Sequence, residues 1–138
     1  MPSLILTNRT TFSASHRLHS AALSAEENRK LFGKCNWDNG HGHNYVLKVS
    51  VKGRPDPKTG LFINLFDLET IVREKLLDAV DHRHLNLDIP HFKDVNPTAE
   101  NIAVYCWNVL AKHLPPGSLY EIYLEETETC SVTYRGEA

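Results

Sequence analysis

Cysteine is scarce in this chain and poorly placed for cross-linking: Cys35, Cys106 and Cys130 lie far apart along 138 residues. An odd, scattered set does not make a disulfide framework, so a reducing compartment is expected. No apolar run is long enough to span a bilayer, and Met1 to Arg9 lacks the charge-then-apolar layout of a secretory leader. A cytoplasmic protein with no membrane partner is the expectation. Neither sign of charge dominates, since 15 Lys and Arg stand against 17 Asp and Glu for a net −2. That balance gives no general grip on nucleic acid or anionic lipid. Repeats, low-complexity tracts and long linkers are also missing, so residues 1–138 read as a single domain able to bury a core.

What the chain does have is periodicity. Residues 10–18 alternate, with Phe12, Ala14, His16 and Leu18 on one side; residues 43–51 do the same with Tyr45, Leu47, Val49 and Val51. Residues 119–126 place Tyr120, Ile122, Leu124 and Glu126 on one face and Glu121, Tyr123 and Glu125 on the other, and 131–134 makes a short last strand. A period of two marks half-buried strands. Between them, Leu68, Ile71, Val72, Leu76 and Val80 form a helical stripe behind Asn64 as N-cap. A second helix is expected over 97–114, with Ala103, Trp107, Leu110 and Leu114 as its stripe, Asn96 before Pro97 as its start and Pro115-Pro116 as its stop. Strands at both ends and helices in the middle predict an α+β fold, with two helices on one face of an antiparallel sheet.

Histidine is the abundant residue of interest, with eight copies. In Gly40-His41-Gly42-His43 both imidazoles continue the apolar phase of the following strand, and His16 lies in the apolar phase of its own. Side chains at i and i+2 of a strand point the same way, roughly 6–7 Å apart. Three imidazoles facing one interior suit a catalytic zinc, which takes three protein ligands and an open fourth position. Taken singly, each reads more readily as a packed core histidine; two adjacent unpaired imidazoles in a core are harder to explain. Gly40 and Gly42 leave room for the backbone around a metal.

Cys35, in a turn-rich segment beside Lys34 and just before the histidine pair, is a candidate base or nucleophile with a lowered pKa. Cys106 and Cys130 read as inert thiols. Asp81-His82 pairs a carboxylate with an imidazole as a candidate proton relay. Glu126 ends an otherwise apolar face, and an inward carboxylate needs a partner such as a ligand's N–H donors.

These landmarks resemble the 6-pyruvoyltetrahydropterin synthases, in order and almost without gaps from Phe12 to Glu137. They are Phe12-Ser13-Ala14-Ser15-His16-Arg17-Leu18, Gly33-Lys34-Cys35-Asn36, Asn39 to Tyr45, Asn64-Leu65, Asp67-Leu68, Asp81-His82, Thr98 with Glu100-Asn101, and Glu126-Thr127. The resemblance implies zinc at His16, His41 and His43, with Cys35 as catalytic base and Asp81 and His82 as its relay. Glu126 would anchor the pterin, with Thr98 also on the substrate side. It further implies a lyase of tetrahydrobiopterin biosynthesis that acts on 7,8-dihydroneopterin triphosphate, with magnesium assisting. The implied architecture is a tunnelling fold (T-fold), in which sheets of three subunits close a barrel and two trimers stack into a homohexamer with active sites between subunits. Two departures stand out: Trp37-Asp38 in the loop after Cys35, and Ala99 beside Thr98. Related alternatives are a 6-carboxytetrahydropterin synthase, against which the spacing from Cys35 to His41 speaks, and a non-catalytic zinc or pterin binder, which has no need of Cys35. Arg17, Lys34 and Arg83 are candidate phosphate contacts.

Overall fold

A computed structural model describes residues 2–138. In chain order the elements are β1 (Leu4–His16), α1 (Ala25–Phe32), a 3₁₀ turn (Gly33–Asn36) and β2 (His41–Gly53). There follow α2 (Leu65–Val72), a π turn (Arg73–Leu77), α3 (Asp78–Val80), β3 (Arg83–His84), α4 (Leu85–Asp88) and a second 3₁₀ turn (Pro90–Lys93). The chain then forms α5 (Ala99–Ala111), β4 (Leu119–Thr127) and β5 (Cys130–Tyr134). The strands join in the order β3-β1-β2-β4-β5. All pairings are antiparallel except the short β1–β3 contact, which is parallel. The fold is therefore α+β as expected, with a mostly rather than wholly antiparallel sheet. No described helix is long and apolar enough to cross a membrane.

The core forms where the predicted inward faces meet the predicted helical stripes. Phe12, Ala14, Tyr45, Leu47, Val49, Val51, Ile122 and Leu124 from the sheet are buried with Leu68, Val72, Leu76 and Val80 from the first helical segment. The second contributes Ile102, Ala103, Cys106 and Leu110. Burying such side chains stabilises by about 1.5–3 kcal/mol each. Leu68, Val72, Leu76 and Val80 are spaced by four, which in a regular helix drifts the stripe by about 40° per turn. The wider π turn at Arg73–Leu77 takes up that drift and keeps all four buried.

Several local expectations need correction. Tyr120 does not share the inward face: a bulge opposite Ser50 and Val51 makes Leu119 the buried residue and turns Tyr120 outward, under Lys52 and Arg135. Helix α5 is capped by Thr98, whose hydroxyl accepts the Asn101 N–H, not by Asn96, and it ends at Ala111 before the prolines. Trp107 lies at the stripe's edge against Tyr134. The segment leading to Cys35 is helical: Ser24 and Glu27 form a reciprocal capping box that starts α1. The Ser24-x-x-Glu27 signal stands in the sequence but precedes no long apolar run, so periodicity alone passes over it.

Candidate metal centre and active site

Strand register brings three histidines together. His16 lies directly across from His41 on β2, and Ala14 across from His43, so all three imidazoles rise from the same end of the β1–β2 pair. Their nearest nitrogens fall within 4.8 Å of one another, and Nε2 of His41 is 2.9 Å from Nε2 of His43. His16 is fully buried, and its Nδ1 lies 2.8 Å from the Pro97 carbonyl just before α5. A carbonyl only accepts, so the proton sits on Nδ1 and the lone pair of Nε2 faces the other imidazoles. That Nε2, like Nδ1 of His41, is buried with no partner among the described residues.

Burial, with the Pro97 contact opposing and the neighbouring histidines assisting, lowers the His16 pKa to about 4. Burial and His43 lower that of His41. Neutral, oriented imidazoles with orphaned lone pairs are the ligand form, and a carbonyl behind one of them is the usual outer support. The three residues fit a metal ion. Gly40 has φ +75°, and a Cβ there would fall 2.8 Å from the His16 carbonyl oxygen, so this glycine is required. Gly42 differs from the sequence expectation, since a Cβ there would make only an ordinary contact at 3.5 Å.

Glu126 reaches the same place. Its Oε1 lies 3.7 Å from Nε2 of His43, and its side chain is 20% exposed. Burial raises its pKa, the His43 neighbour opposes this, and Glu100 in the first turn of α5 adds to the rise. Glu125 points away and accepts from the Tyr123 hydroxyl at 3.0 Å, so the register expected for this pair holds. Cys35 sits on the 3₁₀ turn, half-buried, and its carbonyl accepts from Leu18 N–H at 2.8 Å. Its thiol is pushed up by burial and by the Glu126 charge, not lowered by Lys34 as the sequence implied. Cys106 is fully buried and pushed up to about 12, as an inert thiol should be, while Cys130 is exposed.

Asp81 and His82 are held elsewhere. Strand β3 pins them to the free edge of β1: Asp81 Oδ1 accepts from Ser13 N–H at 2.9 Å, and His82 N–H donates to the Ser13 carbonyl at 2.6 Å. Asp81 Oδ1 is also 3.0 Å from His82 Nδ1, so the two side chains do touch. His82 takes φ +61°, an uncommon conformation for a residue with a Cβ, and its side chain is 82% exposed. It lines an open cavity of about 510 Å³ with Ser13, Ser15, Asn44 and Arg83, at the β1–β3 edge, and His43 of the cluster borders the same cavity. Within one chain, then, His16, His41, His43, Cys35 and Glu126 converge, and Asp81-His82 does not join them. Thr98 stands next to the Pro97 carbonyl, with its hydroxyl engaged as the α5 cap.

Sequence reasoning missed three participants. Pro97 acts through a backbone carbonyl, which carries no sequence signal. Tyr45 was readable only as core. Glu100 was visible in the first turn of a helix, where acidic residues are common for other reasons. Of the candidate phosphate contacts, Arg17 is already engaged: its guanidinium donates to the Asn36 carbonyl at 3.2 Å and pairs with Asp38 at 3.1 Å. Trp37, beside it, is 68% exposed.

An α+β sheet protein with three convergent histidines, a nearby thiol and an inward carboxylate carries a candidate metal site beside candidate acid–base groups. The family model for 6-pyruvoyl tetrahydropterin synthase matches residues 5–137. The 6-pyruvoyl tetrahydrobiopterin synthase of Homo sapiens is 52% identical over 132 residues, covering 96% of this chain and 91% of the human protein. That of Dictyostelium discoideum is 47% identical over 135 residues, covering 98% of each. The solved structure of the Caenorhabditis elegans 6-pyruvoyl tetrahydropterin synthase superposes with a TM-score of 0.95 at 43% identity, over 99% of this chain and 98% of that one. The chain belongs to the 6-pyruvoyl tetrahydropterin synthase family and is an enzyme of it.

Proposed function

We propose that this enzyme is a zinc-dependent lyase that converts 7,8-dihydroneopterin 3′-triphosphate to 6-pyruvoyl-5,6,7,8-tetrahydropterin and triphosphate, in the cytoplasm, for tetrahydrobiopterin synthesis. The observation that carries this reading is the placement of Cys35 and Glu126 beside three convergent histidines, one of them fixed by Pro97. His16, His41 and His43 would hold the metal. The chemistry such a cation supplies is Lewis acidity toward the oxygens of the substrate side chain. Magnesium, carried over by family resemblance alone, would serve the triphosphate.

Glu126 would accept the paired N–H donors of the pterin edge, which needs one carboxylate oxygen turned from His43 toward the cleft. Cys35 would remove and return protons on the side-chain carbons, with the electron redistribution internal to the substrate. Its raised pKa means that nearby positive charge is needed to make the thiolate. His82, oriented by Asp81, would exchange those protons with solvent.

Asp81-His82 makes no hydrogen bond or ion pair with Cys35 or Glu126 within one chain, and its exposed imidazole at the sheet edge suits presentation by a second copy of the chain. A barrel of three subunits, stacked in pairs as a homohexamer, supplies such an arrangement and covers the open sheet edges. The deciding experiment is incubation with dihydroneopterin triphosphate and zinc. The expected result is release of triphosphate and a product with the mass of 6-pyruvoyltetrahydropterin. A 6-carboxy product, or none, overturns the reading. Light scattering that gives a monomer at micromolar protein overturns the assembly.

A further inference from the structure

Tyr45 is the largest fully buried side chain among the described residues, and its hydroxyl has no hydrogen-bond partner among them. A buried polar group left unpaired is costly, so such a hydroxyl needs a reason. A phenylalanine would pack equally well, for the ring stacks on Phe12 at 4.8 Å and already meets His43 edge-on at 5.7 Å.

The neighbours show what lies beside it. Val46 pairs with Glu125 at the end of the β2–β4 ladder, and Glu126 is the next residue along β4. Tyr45 and Glu126 both border His43, the ring at 5.7 Å and the carboxylate at 3.7 Å. Glu126 and Cys35 are the two groups whose charges reach the hydroxyl. Glu126 in turn lacks a strong partner, since 3.7 Å to His43 is longer than a good hydrogen bond. A donor without an acceptor therefore sits near a half-buried acceptor without a donor.

We propose that the Tyr45 hydroxyl positions the Glu126 carboxylate, donating to its inner oxygen once His43 is committed to a cation and leaving the outer oxygen turned toward the ligand. Tyr45 is thus a positioning residue, acting through Glu126. The inference rests on the pterin-anchoring role given to Glu126. It adds a reason for a tyrosine at this place, and it explains how a carboxylate drawn toward the metal cluster is held in a ligand-binding rotamer.

The test is a double-mutant cycle on the zinc-loaded protein, read by titration with pterin itself (2-amino-4-oxopteridine), which has no side chain to react. Tyr45→Phe on the wild-type background is expected to weaken pterin binding roughly tenfold, the size of one hydrogen bond to a charged group. On the Glu126→Gln background the same change is expected to do almost nothing. Zinc content should stay the same in all four proteins, and the melting temperature of metal-free Tyr45→Phe should not fall. Equal losses on both backgrounds would make Tyr45 a packing residue and overturn the proposal, as would no loss on either. Loss of zinc from Tyr45→Phe would assign the hydroxyl to the metal site instead. Wild-type protein that does not bind pterin defeats the anchoring role of Glu126, and Tyr45's with it; wild-type binding without coupling defeats Tyr45 alone.

Discussion

The inner face of the β1–β2 pair and its β3 edge carry different halves of the proposed chemistry. Inward, His16, His41, His43 and Glu126 are buried or nearly so, with pKa values of His16, His41 and Glu126 displaced toward their neutral forms. At the edge, His82 and Arg83 stand exposed around an open cavity, and Asp81 is only partly covered. The inner face can bind, because desolvation strengthens directed contacts there. The edge can trade protons with water. Strand β3 ties this second set to β1 through Ser13, a few residues from His16.

The largest effect should come from breaking the inner face. His41→Ala removes one of three ligands, and metal analysis of the purified variant should find zinc reduced to about a tenth or less of the wild-type content. Full occupancy would remove His41 from the ligand set.

The comparison is sharpened by joining face and edge across subunits. Cys35→Ala and His82→Ala should each keep zinc and lower turnover by about 10²–10⁴, the usual range for a lost acid or base. If each site takes its thiol from one chain and its imidazole from another, unfolding and reassembling the two variants together should restore about a quarter of wild-type activity. No recovery from mixed oligomers would place both groups in one subunit's site.

Next in size is the choice between neighbouring carboxylates. Glu126→Gln should weaken pterin binding by roughly ten- to several-hundred-fold, which corresponds to about 1.5–3.5 kcal/mol. Glu125→Gln should leave it nearly unchanged, because that side chain is bonded to Tyr123 on the other face. A reversal in calorimetric titration would mean that the β4 register is off by one.

The smallest effect is a pH slope in the metal-free protein. His16 ionises near 4 when folded, against 6.5 for an ordinary histidine. Between these values the unfolded chain binds the extra proton, so stability rises with pH and is lost as pH falls from about 6.5 toward 4. One group gives at most about 1.4 kcal/mol per pH unit. Denaturant titrations at pH 7 and pH 5 should show the drop, and His16→Asn should flatten it. An unchanged slope in that variant would locate the sensitivity elsewhere.

Much of this was legible in one dimension because strands and helices write their buried faces into sequence. Alternation put His16, His41 and His43 on inward phases and separated Glu126 from Glu125; a stripe from Leu68 to Val80 announced the helical segment that covers the sheet. Local composition also gave Asn64 as a cap. These are consequences of periodic geometry, which any residue-by-residue reading can reach.

Tertiary structure decided what periodicity does not encode. Pairing register set His16 opposite His41, and one bulge moved Tyr120 out and Leu119 in. The Pro97 carbonyl chose the His16 tautomer from 81 residues away. Burial and the Glu126 charge raised the Cys35 thiol where the adjacent lysine had promised the reverse. A parallel contact of two residues fixed Asp81-His82 at the edge of β1. Each outcome depends on distances between segments remote in sequence, and on the local dielectric they create together, so neither spacing nor composition could supply it.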